Sequence, residues 1–117
     1  NHPLLLNAAF ELTEQLQQTG YVVKPIVGRC GANIALFDQQ DNLLEATQGH
    51  FESQDMIYQQ LCLLPCIDGF YSQVCTFTAA GVYAGAGMRV DKAKVINKDS
   101  DCMALRFVAD KHFLTDY

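Results

Sequence analysis

Two cysteines stand close enough in the sequence to act together on a metal ion. Cys62 and Cys66 are separated by three residues, with His50 upstream and Cys75 downstream. Structural zinc sites usually contain two such pairs of cysteines, whereas this chain has one pair, with Pro65 inside it. Free thiols in a reducing cytoplasm are therefore the first interpretation, and a thiol- or zinc-dependent protein that uses Cys62 and Cys66 is kept as an alternative. We expect no metal ligand and no cofactor.

A second group of chemically capable residues lies in the sequence GRCG, at residues 28–31. A loop of this kind can present the Cys30 thiol, or it can bind an anion with the help of Arg29. Since no phosphate-binding motif follows at the required spacing, the pattern predicts only a turn. No Ser–His–Asp order and no carboxylate pair stands out elsewhere. We therefore predict no catalytic residue and favour a protein that is not an enzyme.

The element expected to position the rest is the stretch of residues 69–88, which contains no charged side chain. Its apolar residues recur at three- and four-residue spacing, a pattern that predicts a buried central helix. Glycines inside a helix cost about 1 kcal/mol each relative to alanine, and many residues here favour strands. The alternative is therefore a helix that changes to strand near Thr76.

The remaining segments predict an α+β fold. It consists of an antiparallel sheet of four to five strands with an N-terminal helix and two central helices packed on it. The chain is expected to form a single domain over residues 1–117. The predicted helices are residues 1–19, 53–64 and 69–88, and the predicted strands are residues 21–27, 34–37, 43–47, 88–96 and 102–109. The strands at residues 34–37 and 43–47 are expected to form a hairpin, and residues 97–101 a turn. Ser53 as N-cap and Asp55 in the first turn indicate the start of the second helix.

Composition and charge exclude some partners. Residues 1–60 hold two basic and seven acidic side chains, and residues 61–117 hold six of each, so the net charge is −5. Nucleic-acid binding requires clustered lysine and arginine, so we expect no nucleic-acid partner. Polar residues and glycines interrupt residues 69–88, so we expect no membrane span. The five scattered cysteines, read as free thiols, indicate a cytoplasmic location. The wide apolar side of the N-terminal helix favours a homodimer.

Two resemblances bear on function. The run DGF at residues 68–70 continues to Gly87, and a hairpin closing near Cys102 and Phe107 follows it. This half resembles vinyl-reductase-type domains, which are related to the Bet-type subunits of the TRAPP vesicle-tethering complex. Residues 96–100 depart from that family, which has another cysteine and a glycine there. Residues 34–38 and 42–46 resemble the opening hairpin of PAS-type sensor domains, an alternative that requires strand at residues 76–83.

Both resemblances imply an apolar ligand pocket. We therefore expect a small cytoplasmic ligand-binding or sensory module that holds a small apolar or aromatic molecule between the central helix and the sheet. The alternative is an interaction or assembly domain without a ligand. The candidate ligand-binding residues are Tyr58, Phe70, Tyr71, Val74, Phe77, Thr78 and Tyr83.

Overall fold

A computed structural model describes residues 2–107 and consists of two antiparallel sheets with one short helix. The first sheet has the strand order β1-β5-β2-β3-β4, and the second has the order β6-β7-β8-β9. The first sheet contains β1 (Ala8–Ala9), β2 (Tyr21–Pro25), β3 (Ala35–Phe37), β4 (Leu43–Ala46) and β5 (Met56–Gln60). The second contains β6 (Cys66–Ile67), β7 (Phe70–Ala79), β8 (Val82–Asp91) and β9 (Asp101–Met103).

The predicted α+β fold is wrong, because the three long helices are not formed within the described residues. The only helix there is α1 (Glu14–Thr19). Thr13 is its N-cap, and Thr13 Oγ1 accepts a hydrogen bond from the Leu16 backbone N–H. It ends at Gly20, which has a φ of 76°. Before it, β1 pairs with β5, and the Asn7 carbonyl oxygen accepts from the Gln60 N–H at 2.8 Å. Turns, irregular chain and this two-residue strand thus replace residues 2–13 of the N-terminal helix predicted from apolar spacing.

The centre of the first sheet is β2, which lies between β5 and β3. Tyr21 is buried there and stacks on Phe37 with 4.9 Å between ring centroids. Pro25 is the last residue of β2, at a position where a missing N–H is tolerated. The hairpin of β3 and β4 was correctly predicted. By contrast, residues 56–60 form β5 instead of the predicted helix, because five consecutive residues pair with β2.

The predicted central helix is a long β-hairpin. β7 and β8 pair along their whole length and are joined at Ala80 and Gly81, whose φ values are 49° and 79°. Such positive φ angles make a tight turn, and they favour glycine at the second position. The stretch is also exposed instead of buried: the exposed fractions of Val74 and Phe77 are 60% and 58%. The absence of charge therefore reflects an uncovered apolar surface, not a core.

The two sheets contact each other through residues 92–100, the segment between β8 and β9. The predicted strand of residues 88–96 stops at Asp91, and its continuation packs against the first sheet with Val95 and Ile96 buried. Glu45 of β4 accepts hydrogen bonds from the backbone N–H groups of Lys94 and Val95. The last predicted strand is formed only as β9, and its residues 108 and 109 lie outside the described part. The single domain over residues 1–117 stays a prediction.

No helix among residues 2–107 has the length and apolar character that a membrane crossing requires.

Candidate functional site

The loop of residues 28–33, called the GRCG loop below, connects β2 with β3 in a left-handed conformation. Cys30, Gly31 and Asn33 all have positive φ values, of 53°, 67° and 55°. Thr47 Oγ1 donates a hydrogen bond to the Gly31 carbonyl oxygen at 2.5 Å. Asn33 Oδ1 accepts from the Phe51 N–H at 2.9 Å. These side-chain contacts hold the loop in one shape, since left-handed non-glycine residues are otherwise unfavourable.

The GRCG loop forms one wall of a cleft with a volume of about 840 Å³, called the GRCG cleft below. The other walls come from the chain after β4 and from the turn that precedes β9. The lining consists of residues 29–32, 47–51 and 97–99. The topology thus brings together three loops that are far apart in the sequence, at the place where the two sheets meet.

The charges that line the cleft favour an anion. Arg29 and Lys98 are the basic side chains along it, Asp99 is its one acidic side chain, and the His50 imidazole adds a polar group. Lys98 Nζ contacts the Asp99 carboxylate at 2.8 Å, but both side chains are 76% exposed, so this pair contributes little and is easily exchanged. Within residues 2–107 no carboxylate pairs with the Arg29 guanidinium. A guanidinium presents planar, paired donors that match carboxylate and phosphate groups.

Hydrogen bonds from β8 of the second sheet hold the turn at residues 97–99 in place. Arg89 on β8 donates from Nη2 to the Ser100 carbonyl oxygen at 2.9 Å. Ser100 Oγ donates to the Asp91 carboxylate at 2.6 Å and accepts from the Asn97 N–H at 2.8 Å. The bond from Ser100 lowers the pKa of Asp91 below its ordinary value, so this carboxylate remains charged. The wall that carries Lys98 is therefore fixed by partly buried polar contacts around the buried Ser100.

Arg89 has a further feature. Its Nε atom is buried and has no hydrogen-bond partner among residues 2–107. Buried donors in native proteins are nearly always paired, so this atom marks a polar group with remaining binding capacity next to the turn.

A smaller cleft, of about 240 Å³, lies on the other side of the GRCG loop. Lys24, near the end of β2, lines it together with Arg29 and Cys30. Lys24 Nζ donates to Gln59 Oε1 at 2.6 Å, so its side chain is held in place by a neutral partner. Cationic side chains therefore flank the GRCG loop on both sides.

The sequence-predicted ligand residues do not form one site. Tyr58 lies on β5 in the first sheet and lines a cleft with Phe10, whereas Phe70 lines a different cleft next to Val90. The others are spread along the β7–β8 hairpin: Tyr71, Val74, Phe77, Thr78 and Tyr83. Thr78 and Tyr83 are direct partners in that hairpin. The predicted pocket between a central helix and the sheet has no helix to form it.

The five cysteines form no disulfide bond. All five are free, and four of them are exposed, including Cys62 and Cys66. In the part of the chain that the structure describes, no group of three or more histidine, cysteine or acidic side chains is arranged to hold a metal ion.

The sequence indicates Arg29 as an anion ligand but predicts only a turn for its loop. It places His50 with the cysteine pair and gives Lys98 no role, because nothing in the sequence indicates that residues 50 and 98 meet residue 29. The turn predicted at residues 97–101 is formed by residues 97–100, since Asp101 begins β9, but its position in the fold was not predicted.

Comparison with known proteins defines the class of protein. Residues 1–108 match the family described as glutathionylspermidine synthase preATP-grasp, and the chain belongs to this family. The resemblances to vinyl-reductase-type, TRAPP Bet-like and PAS-type domains are therefore wrong, and so is the prediction of a sensory ligand-binding module with its alternatives.

Three relatives show how much of each protein the similarity covers. The chain is 50% identical over 101 residues to the bifunctional glutathionylspermidine synthetase/amidase of Escherichia coli, a match that covers 86% of this chain and 16% of that protein. It is 38% identical over 106 residues to trypanothione synthetase of Crithidia fasciculata, covering 91% and 16%. It is 33% identical over 116 residues to a putative acid–amine ligase of Haemophilus influenzae, covering 92% and 29%. The chain thus spans about a sixth of the length of the first two relatives.

Proposed function

We propose that this chain is the preATP-grasp portion of an ATP-dependent ligase that joins a carboxylic acid to an amine. Glutathione is the proposed acid and a polyamine such as spermidine the proposed amine. The observation that carries the proposal is the family match over residues 1–108, together with 50% identity to a glutathionylspermidine synthetase. The Haemophilus influenzae relative, described as a putative acid–amine ligase, supports the same reaction class.

The proposed reaction requires activation of the acid. A carboxylate and an ammonium do not condense spontaneously in water, because an amide forms only when an oxygen leaves as a stable group. Transfer of the terminal phosphoryl group of ATP to the carboxylate oxygen releases ADP and forms an acyl phosphate. The amine nitrogen then attacks the carbonyl carbon, phosphate leaves, and the nitrogen loses a proton. Both steps place several negative charges close together.

The GRCG loop supplies positive charge of the kind that these steps need. We assign the binding of an anionic group, either a substrate carboxylate or a nucleotide phosphate, to the GRCG cleft. Arg29 binds it with paired N–H donors, and Lys98 adds a second charge from the opposite wall. Lys24 lies on the far side of the same loop, where a second anionic group can be bound.

The exposed hairpin also supports a role within a larger enzyme. Large apolar side chains on β7 and β8 are uncovered in this chain, including Val74, Phe77 and Val82. Contiguous exposed apolar surface commonly marks an interface. We assign this surface to contact with the rest of the synthetase, whose E. coli relative is about six times as long as the matched segment. A cytoplasmic location is proposed as well, supported by five free cysteines.

The test uses the full polypeptide that carries this chain. Incubation with ATP, glutathione and spermidine should release ADP and yield a product with the mass of the two substrates minus one water, detected by mass spectrometry. Both signals should require the acid and the amine together. A folded protein that releases no ADP in response to any acid–amine pair would overturn the proposal.

Substitution of Arg29 tests the assigned cleft within the same assay. Arg29→Ala should lower kcat/KM about 100-fold, because charge-assisted contacts to a reacting anion contribute a few kcal/mol. Arg29→Lys should recover only part of this loss, since an ammonium lacks the paired donors. Arg106→Ala is the matched control, because Arg106 is exposed and lies outside the cleft. Equal activities of the Arg29 and Arg106 variants would remove the assignment to this cleft.

A further inference from the structure

β4 and the residue after it carry two polar side chains that form hydrogen bonds with the walls of the GRCG cleft. Glu45 lies in the strand, and Thr47 follows its end, where the Thr47 N–H still donates to the Ile34 carbonyl oxygen at 2.9 Å. Side chains two residues apart on an extended chain lie on the same face. Glu45 and Thr47 therefore extend from one face of the sheet.

The two side chains hold different walls. The Glu45 carboxylate accepts hydrogen bonds from the N–H groups of Lys94 at 2.9 Å and Val95 at 3.0 Å, one at each oxygen. Thr47 Oγ1 donates to the Gly31 carbonyl oxygen and accepts from the Ile34 N–H at 2.9 Å. One strand thus anchors both the chain leading to Lys98 and the loop that carries Arg29.

The two walls also contact each other directly. A Cβ atom at Gly31 would overlap with the Ile96 carbonyl oxygen and would lie 2.9 Å from Val95 Cγ1. Since Val95 is itself held by Glu45, a displacement of residues 94–96 is transmitted to the GRCG loop by contact. Lys98 lies two residues beyond this contact, and Arg29 two residues before it.

We propose that Glu45 is a positioning residue that sets the separation of Arg29 and Lys98 and thereby the affinity of the cleft for an anionic group. The proposal rests on the proposed function, in which this cleft binds a carboxylate or a phosphate. Glu45 suits the role because a carboxylate has two acceptor oxygens for two adjacent N–H groups. In this arrangement, with one N–H group at each oxygen, a glutamine would place its NH₂ donor against one of the two N–H groups.

The kinetic test compares Glu45→Gln, Glu45→Asp and the control Glu11→Gln in the full polypeptide. Glu11 is exposed and outside the cleft. Glu45→Gln should raise the KM of one anionic substrate about tenfold while kcat changes less than about threefold and the KM of spermidine stays unchanged. Glu45→Asp should give a smaller rise, because it keeps the charge on a shorter side chain. A raised KM for glutathione identifies a carboxylate as the ligand, and a raised KM for ATP identifies a phosphate.

Two outcomes of this comparison would overturn the proposal. One is a folded Glu45→Gln variant with all three KM values unchanged. The other is an equal loss for glutathione, ATP and spermidine, which indicates a general structural role only.

Hydrogen exchange gives a readout that does not depend on activity. Glu45→Gln should speed exchange of the amides of Lys94 and Val95 and of the GRCG loop, whereas Glu11→Gln should not. If exchange in residues 28–33 does not respond, Glu45 does not position the loop. If the unsubstituted polypeptide ligates no acid to an amine, the proposed function fails, but the exchange comparison still decides whether Glu45 couples the two walls.

Discussion

The backbone of Gly31 lies directly against the carbonyl oxygen of Ile96, with no room for a side chain between them. Gly31 belongs to the loop between β2 and β3, whereas Ile96 follows the last long strand of the other sheet. This contact joins the two sheets at the same place where Glu45 binds the N–H groups of Lys94 and Val95. The cleft lined by Arg29 and Lys98 therefore depends on close backbone packing between the sheets.

Replacement of Gly31 by alanine should test this packing. Gly31 has a φ of 67°, so an alanine there costs about 1 kcal/mol for its left-handed conformation and more for the overlap with Ile96. Gly81→Ala is the matched control, since Gly81 has a φ of 79° but no atom within 4 Å of the added Cβ. In thermal unfolding of the full polypeptide, Gly31→Ala should lower Tm clearly more than Gly81→Ala. Equal decreases in Tm would mean that the two sheets can move apart at this contact without a loss of stability.

The buried hydroxyl of Tyr21 should produce a pH dependence at high pH. Burial, followed by the hydrogen bond that the hydroxyl donates to Asp41, raises the pKa of Tyr21 to about 12. Since the pKa of a free tyrosine is about 10, the stabilisation is complete below pH 10 and is lost as the pH rises from about 10 to about 12. Phenolate absorbance should include a late transition from Tyr21. Tyr21→Phe should remove this transition, while Tyr83→Phe, at an exposed position, should leave it in place.

The sequence predicted local features better than long-range ones. The hairpin of β3 and β4 and the turn at residues 97–101 contain polar loop residues at the required spacing, so their form could be read locally. Residues 56–60 were assigned to a helix because Ser53 and Asp55 resemble a helix start. Their true partner is β2, more than thirty residues earlier, and pairing with it overrides the local preference.

The central stretch was misinterpreted for a different reason. An uncharged segment with apolar residues at helical spacing is normally buried, yet β7 and β8 form an exposed hairpin. Its β-favouring residues did indicate strand. The candidate site was visible in part, since Arg29 in the GRCG sequence was recognised as a potential anion ligand. Lys98 could not be added, because its place depends on the contact between two sheets. The homodimer stays a prediction.

The bond between Ser100 and Asp91 should matter at low pH. It lowers the pKa of Asp91 below the ordinary value of 3.8. A carboxylate with a lowered pKa stabilises the fold above its unfolded pKa, and this contribution is lost as the pH falls through the folded pKa. Ser100→Ala should therefore weaken the dependence of Tm on pH below about 4 and cost about 1 kcal/mol at neutral pH. The exposed Ser53→Ala serves as the control, and identical acid profiles for the two variants would contradict this role of Ser100.

The proposed contact of the β7–β8 hairpin with the rest of the synthetase leads to a comparison between two valines. Val27 and Val82 are almost equally exposed in this chain, at 68% and 69%. If both faced water in the whole enzyme, Val→Ala at either position would change stability by less than about 0.5 kcal/mol. We propose that contact with the rest of the synthetase buries Val82. Val82→Ala should therefore lower the free energy of unfolding by about 1 kcal/mol or more, whereas Val27→Ala should lower it little. Thermal unfolding of the two full-length variants measures the difference, and equal Tm values would place the hairpin in water.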